Sequence, residues 1–497
     1  MSILPNKFYS ISESTAVIVP IVLMATVFGA SLVFSSEMGF KWFFLSFLGI
    51  SLACVATIFY DFRLFLILLV CACIPVDIQY NPFKNKKFVT LEHWGGAPAA
   101  SIVHLVDFSI LLLFILWLVD LGFGNKKLPG WCRFDTYCVT FLCLISFSII
   151  NTDEYLLLFC ELFRYLKYYL LLWILRTYLD NITYYWWALA VVVLMVLLES
   201  MIACLQYFLF FSLPVPVGGV TGSQFELVNN IVIQRVTGLV GFSNTFAAYL
   251  LFPIITSFVI MISESPLVVR LVSMVTFVAG CVAIVVTFSR NSWMVLAGGL
   301  LLVTVLGIRY KKVSLALIVG LFGLACFVVG FLYASGVLET ILVRVLEDNG
   351  KAYDSRYDLF MVAVEIFKTF PIFGAGLNTF EEIMSKYDFS GVTNIIQQPV
   401  HNVFFLYAAE TGVFAAFLFI VIGFHIANLA KRILLNKSNL AFIVGCSTYS
   451  LFITLGIDNF FDITMRKDPI IGMMTIFIAM VLSFDKLKNE KFFFKLV

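Results

Sequence analysis

The chain has 497 residues, of which 62% are hydrophobic and 12% are charged, and its mean hydropathy is +1.02. A soluble domain carries about a quarter charged residues, so this composition excludes an ordinary soluble protein and indicates a membrane protein. The formal net charge of +2 favours neither a nucleic acid nor an acidic partner.

The apolar residues form continuous runs of about twenty, which predicts helices and not the short alternating strands of a membrane barrel. The first run lacks a small-residue cleavage site, so we expect a retained helix and not a removed signal. We predict an all-α polytopic membrane protein that forms a single transmembrane domain over residues 1–497, with about 14 transmembrane helices. The predicted spans are 14–36, 40–60, 63–77, 103–123, 134–150, 156–176, 186–212, 242–262, 268–289, 291–308, 313–335, 402–427, 439–457 and 467–484.

The eleven cysteines lie mostly within apolar runs, where they act as small hydrophobic residues. They show neither a CxxC pair nor a Cys/His ligand spacing. The cysteine pattern therefore predicts neither a zinc site nor a disulfide framework. We also expect no metal ligands and no cofactor.

Lysine and arginine gather in one set of loops, at residues 126–133, 309–312, 431–437 and 486–495. The positive-inside rule makes that side cytoplasmic, together with both termini. The opposite side then receives residues 78–102, 213–241, 289–291, 336–401 and 458–468. Chemistry on the outer side is separated from ATP and nucleotide sugars, so it needs a donor that already carries its own activation.

The predicted outer loop 336–401 is acidic and contains the segment YDLFMVAVEIFKTF, whose apolar residues recur at helical spacing. We predict an amphipathic helix that lies along the membrane interface. The segment PIFGAG (Pro371–Gly376) follows, and its proline and glycines predict the end of that helix.

Four polar residues of the outer side are candidates for chemistry. Arg290, at a tight corner between two spans, is either a snorkelling interfacial residue or a phosphate ligand. Arg356 follows Asp354, and a solvated salt bridge is the simpler interpretation of its spacing. His401 is either a helix cap or a proton acceptor, since an imidazole titrates near neutral pH. Arg235 begins a glycine-containing segment in which we favour helix packing for the glycines.

Ionisable residues also occur inside predicted spans, where they are costly and usually face a partner or a cavity. Glu161, Arg164 and Lys167 form either a structural ion pair or a site for a lipid phosphate. Asp107 and Glu199 are isolated acids that would suit the proton relay of an anion transporter.

Four stretches together resemble the O-antigen ligase/O-antigen polymerase superfamily of bacterial envelope glycosyltransferases. They are RxxGxxGFxN from Arg235, the Ser-Arg corner at Arg290, SRxxxF at Arg356 followed by PIFGAGxNxF, and HNVFFLxxxETG from His401 to Gly412. The resemblance covers residues 235–425, and the last two stretches are the most specific.

The resemblance implies a GT-C-like, metal-independent and inverting glycosyltransferase of the bacterial inner membrane, whose donor is a glycan on undecaprenyl pyrophosphate. By matching position, Arg290 and Arg356 would hold the pyrophosphate and His401 would accept the proton of the attacking hydroxyl. Arg235, Arg164, Lys167 and Asn402 are the candidates for substrate binding.

The partners that follow are the lipid-linked donor, a glycan acceptor, membrane lipid and a chain-length regulator protein. A polymerase of repeat units is the first interpretation. Ligation of finished glycan to a lipid A core or a protein, and anion transport, are the alternatives.

Overall fold

The computed structural model describes residues 61–80, 103–213, 223–228, 231–312, 330, 333, 350–394, 398–436 and 438–489. The predicted spans 14–36 and 40–60 lie outside these residues, and so does 313–335 apart from residues 330 and 333. The total of about 14 spans therefore stays a prediction.

Every one of the other predicted spans coincides with a helix, and the prediction of an all-α polytopic membrane protein is confirmed. Among the described residues, nine helices are long and apolar enough to cross a membrane. The thirteen helices of the described residues are α1 Phe62–Cys73, α2 Leu105–Gly122, α3 Arg133–Ser146, α4 Tyr155–Tyr178, α5 Ile182–Leu209, α6 Ser243–Ile262, α7 Leu267–Val285, α8 Arg290–Arg309, α9 Gly350–Thr369, α10 Phe380–Ile383, α11 Val403–Ile433, α12 Asn439–Asp458 and α13 Asp468–Ser483.

The described strands form two antiparallel pairs that precede helices. β1 (Gln79–Tyr80) pairs with β2 (Val103–His104), with Gln79 opposite His104. β3 (Gln224–Val228) pairs with β4 (Ile231–Arg235), with Gln224 opposite Arg235. Both pairs lead the chain back into the bundle, to α2 and α6 respectively.

The chain divides into two compact units, Met1–Ile67 and Leu68–Val497. Of the smaller unit, the structure describes residues 61–67, where the Asp61 carboxylate accepts hydrogen bonds from the backbone N–H groups of Arg63 and Leu64 at the start of α1. The prediction of one domain over residues 1–497 stays a prediction.

Helix α6 forms the core of the larger unit. Its sequence is apolar on all sides, which is typical of a helix surrounded by other helices, and its span is completely buried. Helices α5, α7, α8 and α12 pack around it. Lipid-facing helices such as α2 and α7 have about a third of their span buried, so the bundle has a clear inside and outside.

The bundle has two chemically different ends. At the basic end, the Lys126 ammonium pairs with Asp180 at 2.5 Å, and Lys312 pairs with Glu264 at 2.7 Å. The Asn439 amide accepts a hydrogen bond from the Glu264 N–H there. Lys126 and Lys312, from two of the predicted basic loops, thus lie at helix ends that the alternation of spans puts on one side. We call the other end, where α6, α8, α11 and α13 begin, the polar end.

Helix α9 contains the predicted amphipathic segment, and it stops at Thr369, immediately before PIFGAG. It packs on α11, where the rings of Phe360 and Phe405 meet with centroids 4.6 Å apart. The apolar face of α9 therefore rests on the helix that follows His401.

Candidate functional site

A short loop between α12 and α13, residues 459–467, organises the polar end. Asn459 is buried at its base, where its amide oxygen accepts from the Met465 N–H at 2.9 Å and its amide nitrogen donates to the Thr464 hydroxyl at 3.1 Å. Thr464 donates in turn to the Asp458 carboxylate at 2.8 Å. These bonds close the 459–467 loop on itself and hold Asp462 between them.

Asp462 receives polar groups from three different elements. Its carboxylate accepts from the Asn244 amide of α6 at 3.1 Å and lies 3.9 Å from Nδ1 of His401. Burial by itself raises the pKa of Asp462, but the His401 ring, the Ile463 N–H and the Arg356 guanidinium favour the carboxylate, so that its pKa lies below the ordinary value. Asp462 is the point at which these residues converge.

His401 lies in an extended stretch that leads into α11. The Val403 N–H donates to the Asn459 carbonyl at 3.0 Å, which attaches this stretch to the 459–467 loop. The side chain of His401 is 21% exposed, and no described residue forms a hydrogen bond with its Nδ1. The ring is therefore accessible and faces Asp462 with one nitrogen.

Asn402, a predicted substrate ligand, caps α11. Its side-chain oxygen accepts from the Phe404 and Phe405 N–H groups at 3.0 and 3.1 Å, as Asn does at many helix starts. Its amide nitrogen donates to the Phe460 carbonyl at 3.1 Å. These contacts orient the stretch that carries His401, and substrate binding by Asn402 stays a prediction.

The predicted arginines lie at the same end. Arg356 is exposed on α9 and acts on Asp462 through its charge. Arg235 donates to the Thr287 carbonyl at 3.0 Å, pairs with Glu226 at 3.1 Å and donates to the side-chain oxygen of Asn244. Since Asn244 binds Asp462, Arg235 connects to the same centre through one side chain.

Arg290 is the exposed first residue of α8. Its neighbour Asn291 donates to the Asp458 carboxylate at 2.7 Å and to the Asp458 carbonyl at 3.1 Å. The start of α8 is thereby fixed to Asp458, at the beginning of the 459–467 loop. Asp458 precedes Asp462 by four residues in sequence.

Arg164 and Lys167 belong to a second centre, which is formed around Asp468. Lys167 lies 3.1 Å from Asp468 and 2.7 Å from Asp107, and Arg164 lies 3.4 Å from Asp468 and pairs with Glu161. Both cations thus have carboxylate partners, which is the structural alternative left open by the sequence. Binding of a lipid phosphate by Arg164 and Lys167 stays a prediction.

The second centre also holds His104, whose ring lies between two acids. Nδ1 lies 2.7 Å from Asp77, and Nε2 lies 3.3 Å from Asp468. An imidazole donates at both nitrogens only when it is protonated, so this site suits the charged ring. Together with Lys167 and Arg164, His104 fixes α13 to α2 and α4.

The three acids that would serve a transporter, Asp107, Glu161 and Glu199, bind cationic side chains or a backbone N–H group. Asp107 pairs with Lys167, and Glu161 pairs with Arg164. Glu199 is fully buried and accepts the Leu239 N–H at 2.9 Å. Each of these three acids therefore has a partner, and together they do not form the row of free acids that a proton relay would use.

The two most specific sequence stretches meet each other. Helix α11 breaks at Gly412, whose φ is 81°, and the PIFGAG turn packs into that break. The Val413 N–H donates to the Pro371 carbonyl, and the N–H groups of Ala375 and Gly376 donate to the Ala409 and Glu410 carbonyls, all at 2.9–3.0 Å. These three hydrogen bonds therefore hold the PIFGAG turn against a kinked helix.

Sequence reasoning missed Asp462 and its loop. The signal was present, because residues 458–468 contain three Asp, one Arg and one Lys in a chain that is 12% charged. A short acidic loop between spans is ordinarily solvated, so its burial against α6 and α11 could not be read from composition.

Among the described residues, no group of three or more His, Cys, Asp or Glu side chains is placed to hold a metal ion. The absence of a metal from the reaction stays a prediction.

Comparison with protein families gives one match. Residues 275–420 match the family model described as O-antigen ligase. The match lies inside the region 235–425, and it contains Arg290, Arg356, His401 and the two motifs that meet at Gly412. No curated protein sequence matches the chain.

Proposed function

Residues 275–420 belong to the O-antigen ligase/O-antigen polymerase superfamily of envelope glycan enzymes, and we propose that this protein polymerises oligosaccharide repeat units carried on undecaprenyl pyrophosphate. The observation that carries the proposal is the position of His401 beside Asp462 at the end of the bundle opposite the basic loops. Arg235 connects to Asp462 through Asn244, and the positive charge of Arg356 contributes to the low pKa of Asp462.

The proposed orientation puts this convergence at the outer face of the cytoplasmic membrane. The basic end carries Lys126, Lys312 and their neighbours, and such loops are retained in the cytoplasm. The polar end then faces a compartment without nucleotide sugars, where a lipid-linked, pre-activated donor is available.

In the proposed reaction, the hydroxyl of the acceptor sugar attacks the anomeric carbon of the donor. A new glycosidic C–O bond forms, the bond to the pyrophosphate oxygen breaks, and the hydroxyl proton passes to His401. Because Asp462 faces Nδ1, the hydroxyl would approach Nε2, and the nearby carboxylate would stabilise the imidazolium that forms. Attack opposite the leaving group inverts the anomeric centre.

Arg356 and Arg290 would bind the diphosphate, since a guanidinium is always charged and matches phosphate oxygens with two parallel donors. Charge that develops on the leaving group would be stabilised by these fixed cations. One such preorganised contact contributes roughly 3–4 kcal/mol of transition-state stabilisation in other enzymes.

Two features favour a polymerase. The predicted number of spans exceeds that expected of the ligases by about two. The 336–401 loop contains no histidine other than His401. Ligation is the second candidate, and the description of the matched family as O-antigen ligase favours it. The two activities share the donor and differ in the acceptor.

The test is the glycan ladder of cells that express His401→Ala, Arg290→Ala or Arg356→Ala in place of the native chain. Each variant is expected to lose polymer while the amount of protein in the membrane is unchanged. His425→Ala is the matched control, because His425 stacks on Phe134 and meets Tyr137 edge to face, away from Asp462, and should leave the ladder intact.

The ladder also separates the candidates. A deletion strain that retains a single repeat unit on the final acceptor has lost a polymerase, whereas polymer retained on the lipid carrier means a lost ligase. Full polymer length in His401→Ala would refute the proton-acceptor role, and a transporter would leave that variant active.

A further inference from the structure

A buried ion pair joins the two elements that carry His401 and Asp462. Nη1 of Arg466, in the 459–467 loop, donates to Glu410 of α11 at 2.8 Å. The side chains are 7% and 3% exposed. Glu410 lies nine residues after His401, and Arg466 lies four residues after Asp462. The pair therefore connects the two carriers at a second point.

Both partners make further contacts that fix their orientation. Glu410 accepts from the N–H groups of Asn378 and Phe380 at 3.0 and 3.2 Å. Nη2 of Arg466 donates to the Asn378 side-chain oxygen at 3.2 Å and to Glu161 of α4 at 3.3 Å. A guanidinium held by three elements has little freedom to rotate.

Along the 459–467 loop the two attachments lie on either side of Asp462, and along the chain of α11 both follow His401. Near His401, the Val403 N–H binds the Asn459 carbonyl and the Asn402 amide donates to the Phe460 carbonyl, which together form one attachment. Beyond it, Glu410 binds Arg466. One attachment would leave α11 free to pivot relative to the 459–467 loop. Two of them restrict both the distance and the angle between α11, which His401 precedes, and the 459–467 loop, which carries Asp462.

Stability alone gives a weak reason for such a pair. Apolar residues of similar volume often stabilise a buried site as well as an ion pair does, because burying two charges is costly. A second buried pair, Arg176 with Asp135 at 2.8 Å, lies at the basic end and touches neither His401 nor Asp462. It provides a comparison in which only the location differs.

We propose that the Glu410–Arg466 pair is a positioning pair, which holds the ring of His401 against the carboxylate of Asp462. The importance of this for catalysis rests on the proposed function, in which His401 accepts a proton. The geometric part does not rest on it and can be measured without a glycan.

The measurement is the rate at which diethyl pyrocarbonate modifies His401 in the full-length protein in detergent micelles near neutral pH. Mass spectrometry resolves the His401 peptide, and His425 serves as the internal reference. Nδ1 of His401 is buried beside the Asp462 carboxylate, so moving Asp462 away should expose this nitrogen to the reagent and accelerate the modification.

The main variant is Glu410→Gln/Arg466→Met. The glutamine keeps one acceptor oxygen, for either the Asn378 or the Phe380 N–H group, and removing both charges of the pair leaves neither Glu410 nor Arg466 as an unpaired buried charge. We expect the His401 rate to rise at least about twofold, and to rise no further when Asp462→Asn is added, as for residues coupled in one network. Asp135→Asn/Arg176→Met is the matched control and should leave the rate unchanged.

A second variant, Arg466→Lys, keeps the positive charge and lacks the planar fork, so a smaller increase is expected. It reports on the pair even where the double variant does not accumulate in the membrane. Native rates of His401 modification in the variants that accumulate would overturn the proposal, and so would a full additional increase from Asp462→Asn in the double variant.

The glycan ladder of the same strains separates this inference from the proposed function. Lost polymer with a native His401 rate overturns the positioning role. An increased His401 rate with full polymer supports the positioning role and refutes His401 as the proton acceptor.

Discussion

Replacing Gly412 by alanine tests how the two family motifs hold each other. Gly412 has a φ of 81°, and a Cβ added there would lie 2.0 Å from the Ile372 carbonyl oxygen and 2.8 Å from the Phe373 nitrogen. Both are backbone atoms, so the PIFGAG turn as a whole would have to move away from α11.

The expected cost has two parts. The backbone conformation of Gly412, with φ 81° and ψ 174°, is essentially confined to glycine and costs an alanine about 1–3 kcal/mol. Displacing the turn breaks the bonds of the Val413, Ala375 and Gly376 N–H groups, each worth about 1 kcal/mol. We therefore expect Gly412→Ala to lower the free energy of unfolding by about 4–6 kcal/mol.

The assay is the unfolding of purified protein in detergent, together with the amount of protein in the membrane. Gly423→Ala is the matched control, since Gly423 lies on the same helix and a Cβ there meets nothing within 4 Å. Alanine in a helix interior is neutral or stabilising by up to about 1 kcal/mol. Equal stability of the two variants would refute the interpretation of the turn and the kink as one unit.

The second centre and Asp462 give two further predictions. Arg164→Met leaves Glu161 and Asp468 without that cation and should destabilise the protein by about 3–5 kcal/mol in denaturant unfolding. Lys126→Met, at the partly exposed basic end, should cost under about 1 kcal/mol. Similar losses of stability in the two variants would contradict the assignment of a buried cluster. The pKa of Asp462 lies below its ordinary value, so the ionised carboxylate stabilises the fold above about pH 4, and this stabilisation is lost as the pH falls through the folded-state pKa. The difference in melting temperature between the native chain and Asp462→Asn should therefore shrink in acid. A difference that grows in acid would show that Asp462 is not stabilised as a carboxylate.

Local sequence was sufficient for the helices. A run of about twenty apolar residues spans a membrane whatever its neighbours are, and all the predicted spans within the described residues coincide with helices. The end of α9 before PIFGAG was also predictable, because proline and glycine act on the backbone of their own segment.

The family resemblance came from residues that are close in sequence, and the match over residues 275–420 confirms it. The reason for the motif spacing was not readable. The bond between the Gly376 N–H and the Glu410 carbonyl joins segments that a sequence pattern treats as separate stretches.

The packing of the helices decides which residues meet at Asp462 and at Asp468. Asp462 meets Asn244 from 218 positions away, and Arg164 meets Asp468 across 304 positions. Hydropathy determines that a segment crosses the membrane, because that depends on its own transfer free energy. It does not determine which face of one helix meets another, because that depends on how all the side chains of the bundle fit together. The helices of this protein followed from its sequence, and the environment of His401 required the tertiary structure.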